Sequence, residues 1–194
     1  MRIYKLKAIS VIICLLIFFC SSASAYYLDK LPDKNYELVG RVSVTVAANS
    51  NYCHYVNDRY GFTIDFPSFF SLGYLSGNSD GIFVTIKNGN ASLSASGCHN
   101  YGQSLNDCYS DYIGHVKSEF GLKPSYIAKG TDWFVLSWKI NGTIYYKKVF
   151  VCDEYVNSFI LEFLSEDKDA YNDIVTNIEQ SFVPGWRSGN KICD

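Results

Sequence analysis

The chain has 194 residues, of which 48% are hydrophobic and 16% aromatic, and its formal net charge at pH 7 is −2. This apolar content excludes an intrinsically disordered protein, and the length is typical of one folded domain. The acidic balance, with no basic run, argues against a nucleic-acid partner.

The first 25 residues have the three-part pattern of a cleavable signal peptide. Three cations within residues 2–7 precede a mostly apolar run over 8–20, and small residues follow at 23–25. That run of 13 residues is shorter than the roughly 20 that a membrane-spanning helix needs. We therefore expect a secreted or periplasmic protein that starts near Tyr26, has no membrane span after cleavage, and carries a net charge of −5 once the three cations are lost.

The mature chain divides into three predicted parts. Residues 26–52 mix polar residues and tyrosine with one β-branched patch, Val42–Val46, and predict a loosely ordered lead-in. The folded domain is expected over 53–185, and a C-terminal tail over 186–194.

Three strands are predicted in the first half of the domain. Apolar and polar residues alternate over 61–67 and end at Pro67, which is typical of a half-buried strand. Strands at 82–86 and 91–97 flank an Asn-Gly turn and predict an antiparallel hairpin.

Two amphipathic helices are predicted in the second half. The first begins at a cap, Ser104, and ends at Gly121, whereas the second runs over 167–182. Between them the sequence predicts strands at 125–129, 132–140, 143–152 and 157–164. Because tight turns join consecutive strands, we expect an α+β fold, a mainly antiparallel sheet with helices packed on its faces.

Five of the seven cysteines remain after signal cleavage, namely Cys53, Cys98, Cys108, Cys152 and Cys193. Disulfides are the default in an oxidising compartment, although two bridges and a spare thiol can be arranged in 15 ways. Cys98 ends a predicted strand and Cys108 begins a helix ten residues later, which favours a bridge between them. Cys53 and Cys193 lie near the two ends of the domain, which favours a second bridge and leaves Cys152 as a buried thiol.

A catalytic site is not indicated. Cys108, Asp111 and His115 share one predicted helix, but Cys108 and His115 would lie about 10.5 Å apart along its axis. A nucleophile and its base need to be about 2.6–3.2 Å apart. The chain has no Gly-x-Ser-x-Gly motif and no Gly-rich phosphate loop. We therefore predict a protein that is not an enzyme and has no cofactor.

A metal site is also not indicated. Cys98, His99, Cys108 and His115 do not have the paired spacing of a structural zinc site. The alternative that stays open is a metal- or small-molecule-binding enzyme with its site near residues 99–115.

Tyrosine is in surplus, with 16 in the chain. Tyr101 follows His99 in a polar loop, and Tyr145 and Tyr146 precede two lysines. Tyrosine combines apolar area with a hydrogen-bonding tip and suits recognition surfaces, although β-propensity also explains its abundance in strands. We take these four residues as candidate binding residues, with a protein or another envelope component as the expected partner.

Four segments of the sequence stand out: Asn57–Pro67, Asp80–Gly81, Asn141–Lys147 and Ile178–Phe182. Taken together, they contain a strand ended by proline, a hairpin turn and a packed terminal helix. Together they resemble exported bacterial proteins of the PsbP-like α/β/α sandwich group, over about residues 55–184. The resemblance implies that fold and a non-catalytic accessory or adhesin-like module, with no catalytic set to carry over. Cys98, Cys108 and Cys152 are not part of the pattern.

Overall fold

The computed structural model describes residues 26–29, 36–38, 42–49, 51–187 and 190–191, with side chains described over 42–49 and 51–185. The predicted signal peptide, residues 1–25, lies outside the described residues. Among those described, no helix combines the length and the apolar character needed to cross a membrane.

The described chain consists mainly of strands. In chain order they are β1 (Tyr26–Asp29), β2 (Tyr36–Leu38), β3 (Val42–Val46), β4 (Tyr52–Asn57), β5 (Phe62–Pro67), β6 (Leu72–Leu75), β7 (Gly81–Thr85), β8 (Ala91–His99), β9 (Tyr126–Lys129), β10 (Trp133–Ile140), β11 (Thr143–Val151), β12 (Tyr155–Leu164), β13 (Val183–Pro184), β14 (Trp186–Arg187) and β15 (Asn190–Lys191). Two α-helices, α1 (Leu105–Phe120) and α2 (Lys168–Ser181), and a 3₁₀ turn at Ser165–Asp167 complete the described elements.

These strands form two main sheets. Eight strands pair in the order β1-β6-β7-β8-β12-β11-β10-β9, and five pair in the order β13-β5-β4-β3-β2, while β14 and β15 form a small hairpin. All pairings between described strands are antiparallel. The predicted α+β fold, with a mainly antiparallel sheet and helices on its faces, is confirmed, and a second sheet is added to it.

The main core lies between the two sheets and α2. Alternate residues of β8 and β12 point into it, as the two-residue period of a strand requires, and Leu93 and Leu161 are 0% exposed. Phe182, which follows α2, lies edge-on to Phe159 with ring centroids 5.1 Å apart. Full burial of a large apolar side chain contributes about 1.5–3 kcal/mol, so this layer holds the sheets together.

A smaller cluster lies on the opposite face of the eight-stranded sheet, under α1. Cys108 and Val116 of the helix pack against β10 and β11, where Phe134 is 0% exposed. The predicted ends of α1 are confirmed: Ser104 forms a capping box with Asp107, and Gly121 adopts φ 67° as the left-handed cap.

Part of the segment predicted as a loosely ordered lead-in, residues 26–52, is described as strand. Its β-branched patch is β3, which pairs with β4, and Val44 and Tyr55 of these strands are both 0% exposed. β6 likewise lies between the predicted strands at 61–67 and 82–86, where the sequence predicts no strand. These strands are short, and partners elsewhere in the sheets fix their conformation and register more than their own composition does.

Candidate functional site

An aromatic cluster surrounds His99 at the end of β8. The ring centroid of His99 lies 5.5 Å from that of Tyr60, 5.4 Å from Tyr155 and 6.3 Å from Tyr101. Tyr155 stands opposite His99 in the β8–β12 pairing, and Gly97 leaves the space that Tyr60 occupies, since a Cβ there would lie 2.3 Å from that of Tyr60. The structure thus brings His99 and Tyr101 together over two tyrosines that sequence reasoning missed.

The cluster has a buried floor and an exposed rim. Tyr60 and Tyr155 are 5% and 3% exposed, whereas His99 is exposed and Tyr101 is 89% exposed. We call the four residues the His99 cluster. Its rim offers ring faces and polar tips to a binding partner.

The loop that carries Tyr101 is braced by Asn100. The Asn100 side-chain amide donates to the carbonyl of Cys152 at 2.7 Å and to that of Gln103 at 3.0 Å. Its Oδ1 accepts from the Gln103 amide at 2.8 Å, and its own backbone amide donates to the carbonyl of Glu154 at 2.8 Å. The exposed ring of Tyr101 therefore projects from a loop whose backbone is fixed.

A charged pair flanks the floor of the cluster. Arg59 Nη1 lies 2.7 Å from Asp80 Oδ1, and the guanidinium lies 4.9 Å from the ring centroid of Tyr60. Burial, followed by the negative charge of Asp80, raises the pKa of the Tyr60 phenol. Tyr60 therefore stays protonated at neutral pH, which suits a structural hydrogen-bonding group and not a general base.

Tyr145 and Tyr146 point to opposite faces of the sheet, as neighbours in a strand do. Tyr145 stacks on Trp138 on the α1 side, with ring centroids 5.3 Å apart. The Tyr146 hydroxyl donates to Glu179 Oε2 of α2 at 2.6 Å, and the Lys148 ammonium donates to Oε1 at 2.9 Å. The structure does not bring the two predicted tyrosines to one surface, and Tyr146 holds α2 against the sheet.

A cleft that sequence reasoning missed lies between α2 and the inner face of β9, β10 and β11. Its volume is about 690 Å³, within the roughly 300–1,000 Å³ of ligand pockets. Its walls include Tyr126, Ser137, Lys139, Tyr146, Lys168 and Asn172. Since these residues come from separate elements, no local motif could have indicated the cleft.

The segment that could have carried metal or nucleophile chemistry does not assemble a site. Cys108 is 3% exposed and faces the sheet. Asp111, in contrast, is exposed and accepts from the Gln103 side chain at 3.1 Å, and the His115 ring packs against Phe120. Among the described residues, no group of three or more His, Cys, Asp or Glu is placed to hold a metal ion.

The cysteines are arranged differently from the prediction. No disulfide joins two of the described cysteines. Cys98 packs against the cluster under α1 that contains Cys108, so the predicted partners lie in one cluster, and their bridge stays a prediction for the oxidised protein.

Cys53, which is predicted to pair with Cys193, forms no disulfide with a described cysteine. Cys193 itself lies outside the described residues. Cys53 is a free thiol with 0% exposure, because β4 directs it into the core, and burial raises its pKa to about 11. Cys152, which the sequence predicts to be a buried thiol, is 9% exposed.

Comparison with known proteins adds information about the fold. No protein-family profile matches the chain, and no curated protein does. A solved structure that does match is the solution structure of cyanobacterial PsbP (CyanoP) from Synechocystis sp. PCC 6803. The match has a TM-score of 0.53 and 12% sequence identity, and it covers 69% of this chain and 92% of that chain. The fold is PsbP-like, which confirms the resemblance indicated by the sequence.

Proposed function

We propose that this PsbP-like protein is an exported, non-catalytic binding module that recognises a protein or another component of the cell envelope. The observation that carries the proposal is the His99 cluster, where Tyr101 is 89% exposed on a braced loop. Exposed aromatic groups on rigid supports are typical of recognition surfaces, because little conformational entropy is lost when they bind.

One observation supports export to a secreted or periplasmic location. Residues 1–25 have the composition of a signal peptide.

The non-catalytic part of the proposal is supported by the separation of the reactive groups. Cys108 faces the sheet while Asp111 is exposed, so a nucleophile, a base and an orienting group do not converge near residues 99–115. The alternative, a metal- or small-molecule-binding enzyme with its site near residues 99–115, is not supported by the positions of the described side chains.

The test is capture of a partner from envelope extract by the mature chain, followed by titration with the purified partner. We expect Tyr101→Ala to weaken binding at least about tenfold, as truncation of an interface aromatic does. The matched control is Phe69→Ala, an aromatic with 49% exposure outside the cluster, which should bind like the wild type. Failure of the wild type to enrich any envelope component would refute the function, and full binding by Tyr101→Ala would refute the site.

A further inference from the structure

Among the strands that the structure describes, β9 lies at an edge of its sheet, with no strand paired on its outer side. Within the described chain it pairs with β10 alone and ends the eight-stranded sheet. The Gly130 amide donates to the Trp133 carbonyl at 2.8 Å, which closes the β9–β10 hairpin with a hydrogen-bonded pair. Because such pairs alternate along an antiparallel ladder, Ile127 and Lys129 direct their N–H and C=O groups away from β10.

Apolar side chains on and just before this edge are exposed. Tyr126 and Ile127 are 53% and 45% exposed, and Phe120 and Leu122, which precede β9, are 42% and 37% exposed. An open edge is usually guarded by charged residues, especially lysine. Here the lysine of β9, Lys129, reaches over α1, where its ammonium lies 4.7 Å from the Tyr109 ring centroid.

The cleft beside this edge has the opposite charge to the protein as a whole. Its lining contains Lys139 and Lys168 and no Asp or Glu, although the mature chain has a formal net charge of −5. Neither lysine forms an ion pair with another described residue. Tyr126 belongs both to β9 and to the cleft wall, so the edge and the cleft form one continuous surface.

We propose that β9 is the docking edge for an extended, acidic segment of a partner protein, which adds to the eight-stranded sheet as a further strand. The segment bonds to the outward N–H and C=O groups of Ile127 and Lys129. Alternate side chains of the added strand lie on the cleft face, where carboxylates meet Lys139 and Lys168. This inference goes beyond the proposed function, whose site is the His99 cluster, by assigning a second site that takes an extended peptide.

The test uses synthetic peptides in which Val alternates with Glu, titrated into the mature protein. Peptides with Lys in place of Glu, and peptides N-methylated on alternate backbone amides, separate the contributions of charge and of strand pairing. We expect only the unmethylated acidic peptides to bind, and salt to weaken them.

Two protein variants locate the binding. Ile127→Pro removes an outward N–H without removing a bond to β10, which an edge strand tolerates, and it should reduce peptide affinity at least about tenfold. Ile127→Val keeps the N–H and serves as the matched control. Lys139→Gln with Lys168→Gln should abolish the preference for Glu over Lys peptides while leaving the circular dichroism spectrum unchanged.

The outcomes separate this inference from the proposed function. Absence of binding by all acidic peptides, or equal binding by Ile127→Pro and the wild type, overturns the docking edge while capture of an envelope partner can still succeed. A small dicarboxylate that competes with the acidic peptides, and that still binds to Ile127→Pro, also overturns the docking edge. In that case the cleft would be a site for small molecules. Capture that fails in the wild type refutes the proposed function, whereas peptide binding is measured independently of it.

Discussion

The two faces of the eight-stranded sheet are covered to very different extents. On the inner face Leu93, Phe159 and Leu161 are at most 1% exposed, enclosed by the second sheet and α2. On the outer face α1 packs over β10 to β12, whereas Ser92 and Ser94 of β8 remain partly exposed. The difference indicates that folding stability is concentrated on the inner face. The two surfaces that we propose for binding, the His99 cluster at a strand end and the β9 edge, lie where this cover ends.

The largest expected effect compares two fully buried phenylalanines. Phe159→Ala on the inner face should lower the free energy of unfolding by about 3–5 kcal/mol, because two sheets and a helix cannot collapse into the space. Phe134→Ala on the outer face should cost less, since α1 alone can shift towards the sheet. Urea unfolding of both variants measures the difference, and equal losses would contradict the comparison.

A smaller effect concerns how α1 is held on the outer face. The Ser104 hydroxyl accepts from the Asp107 amide at 3.2 Å, and the Asp107 carboxylate accepts from the Ser104 amide at 2.9 Å. Ser104→Ala should therefore reduce stability by about 1 kcal/mol. The control is Ser110→Ala at an exposed position of the same helix, and urea unfolding of the two variants should distinguish them. If the two changes cost the same, the cap does not stabilise α1.

The smallest expected effect is a pH dependence on the outer face. Glu162 stands opposite Tyr145 and Ser92 on neighbouring strands, and burial raises the pKa of its carboxyl group, offset in part by Lys147. The folded protein then holds this proton more tightly than the unfolded chain does. Stability should fall as the pH rises from about 4.3, the ordinary pKa of Glu, through the raised pKa of the folded state.

Glu162→Gln removes this ionisation and should give a slightly higher Tm than the wild type at pH 7 and a flatter Tm profile below it. Glu119→Gln, at an exposed position of α1, is the control and should leave the profile unchanged. A wild-type Tm that rises through this pH range in a way that Glu162→Gln abolishes would contradict the assigned direction.

The sequence predicts an element well when the residues that fix its conformation lie close to it in the chain. The ends of α1 were predictable because Ser104, Asp107 and Gly121 act on the backbone within one turn. The burial of β3 and β4 was not predictable in this way, because it depends on the pairing of β3 with β4 and of β4 with β5. Local signals describe helix ends and turns well, and they describe the partners of short strands poorly.

The same distinction applies to the candidate site. The exposed pair His99 and Tyr101 could be proposed from a single loop, whereas Tyr60 and Tyr155 join it through tertiary structure. The cleft brings Tyr126 close to α2 from a distant part of the chain. Contacts between residues so far apart in the sequence depend on the tertiary structure, so local sequence patterns do not predict them.

The strand order of the larger sheet also bears on how the chain folds. On one side of the β8–β12 pair the strands run outward as β8, β7, β6 and β1, and on the other as β12, β11, β10 and β9. Most neighbouring strands within each half are consecutive and form hairpins, whereas two pairings are long-range: residues 26–29 against 72–75, and the seam of residues 91–99 against 155–163 that joins the halves. The seam spans the larger separation of the two, so we expect the pairing of β8 with β12 to limit the rate at which this sheet assembles.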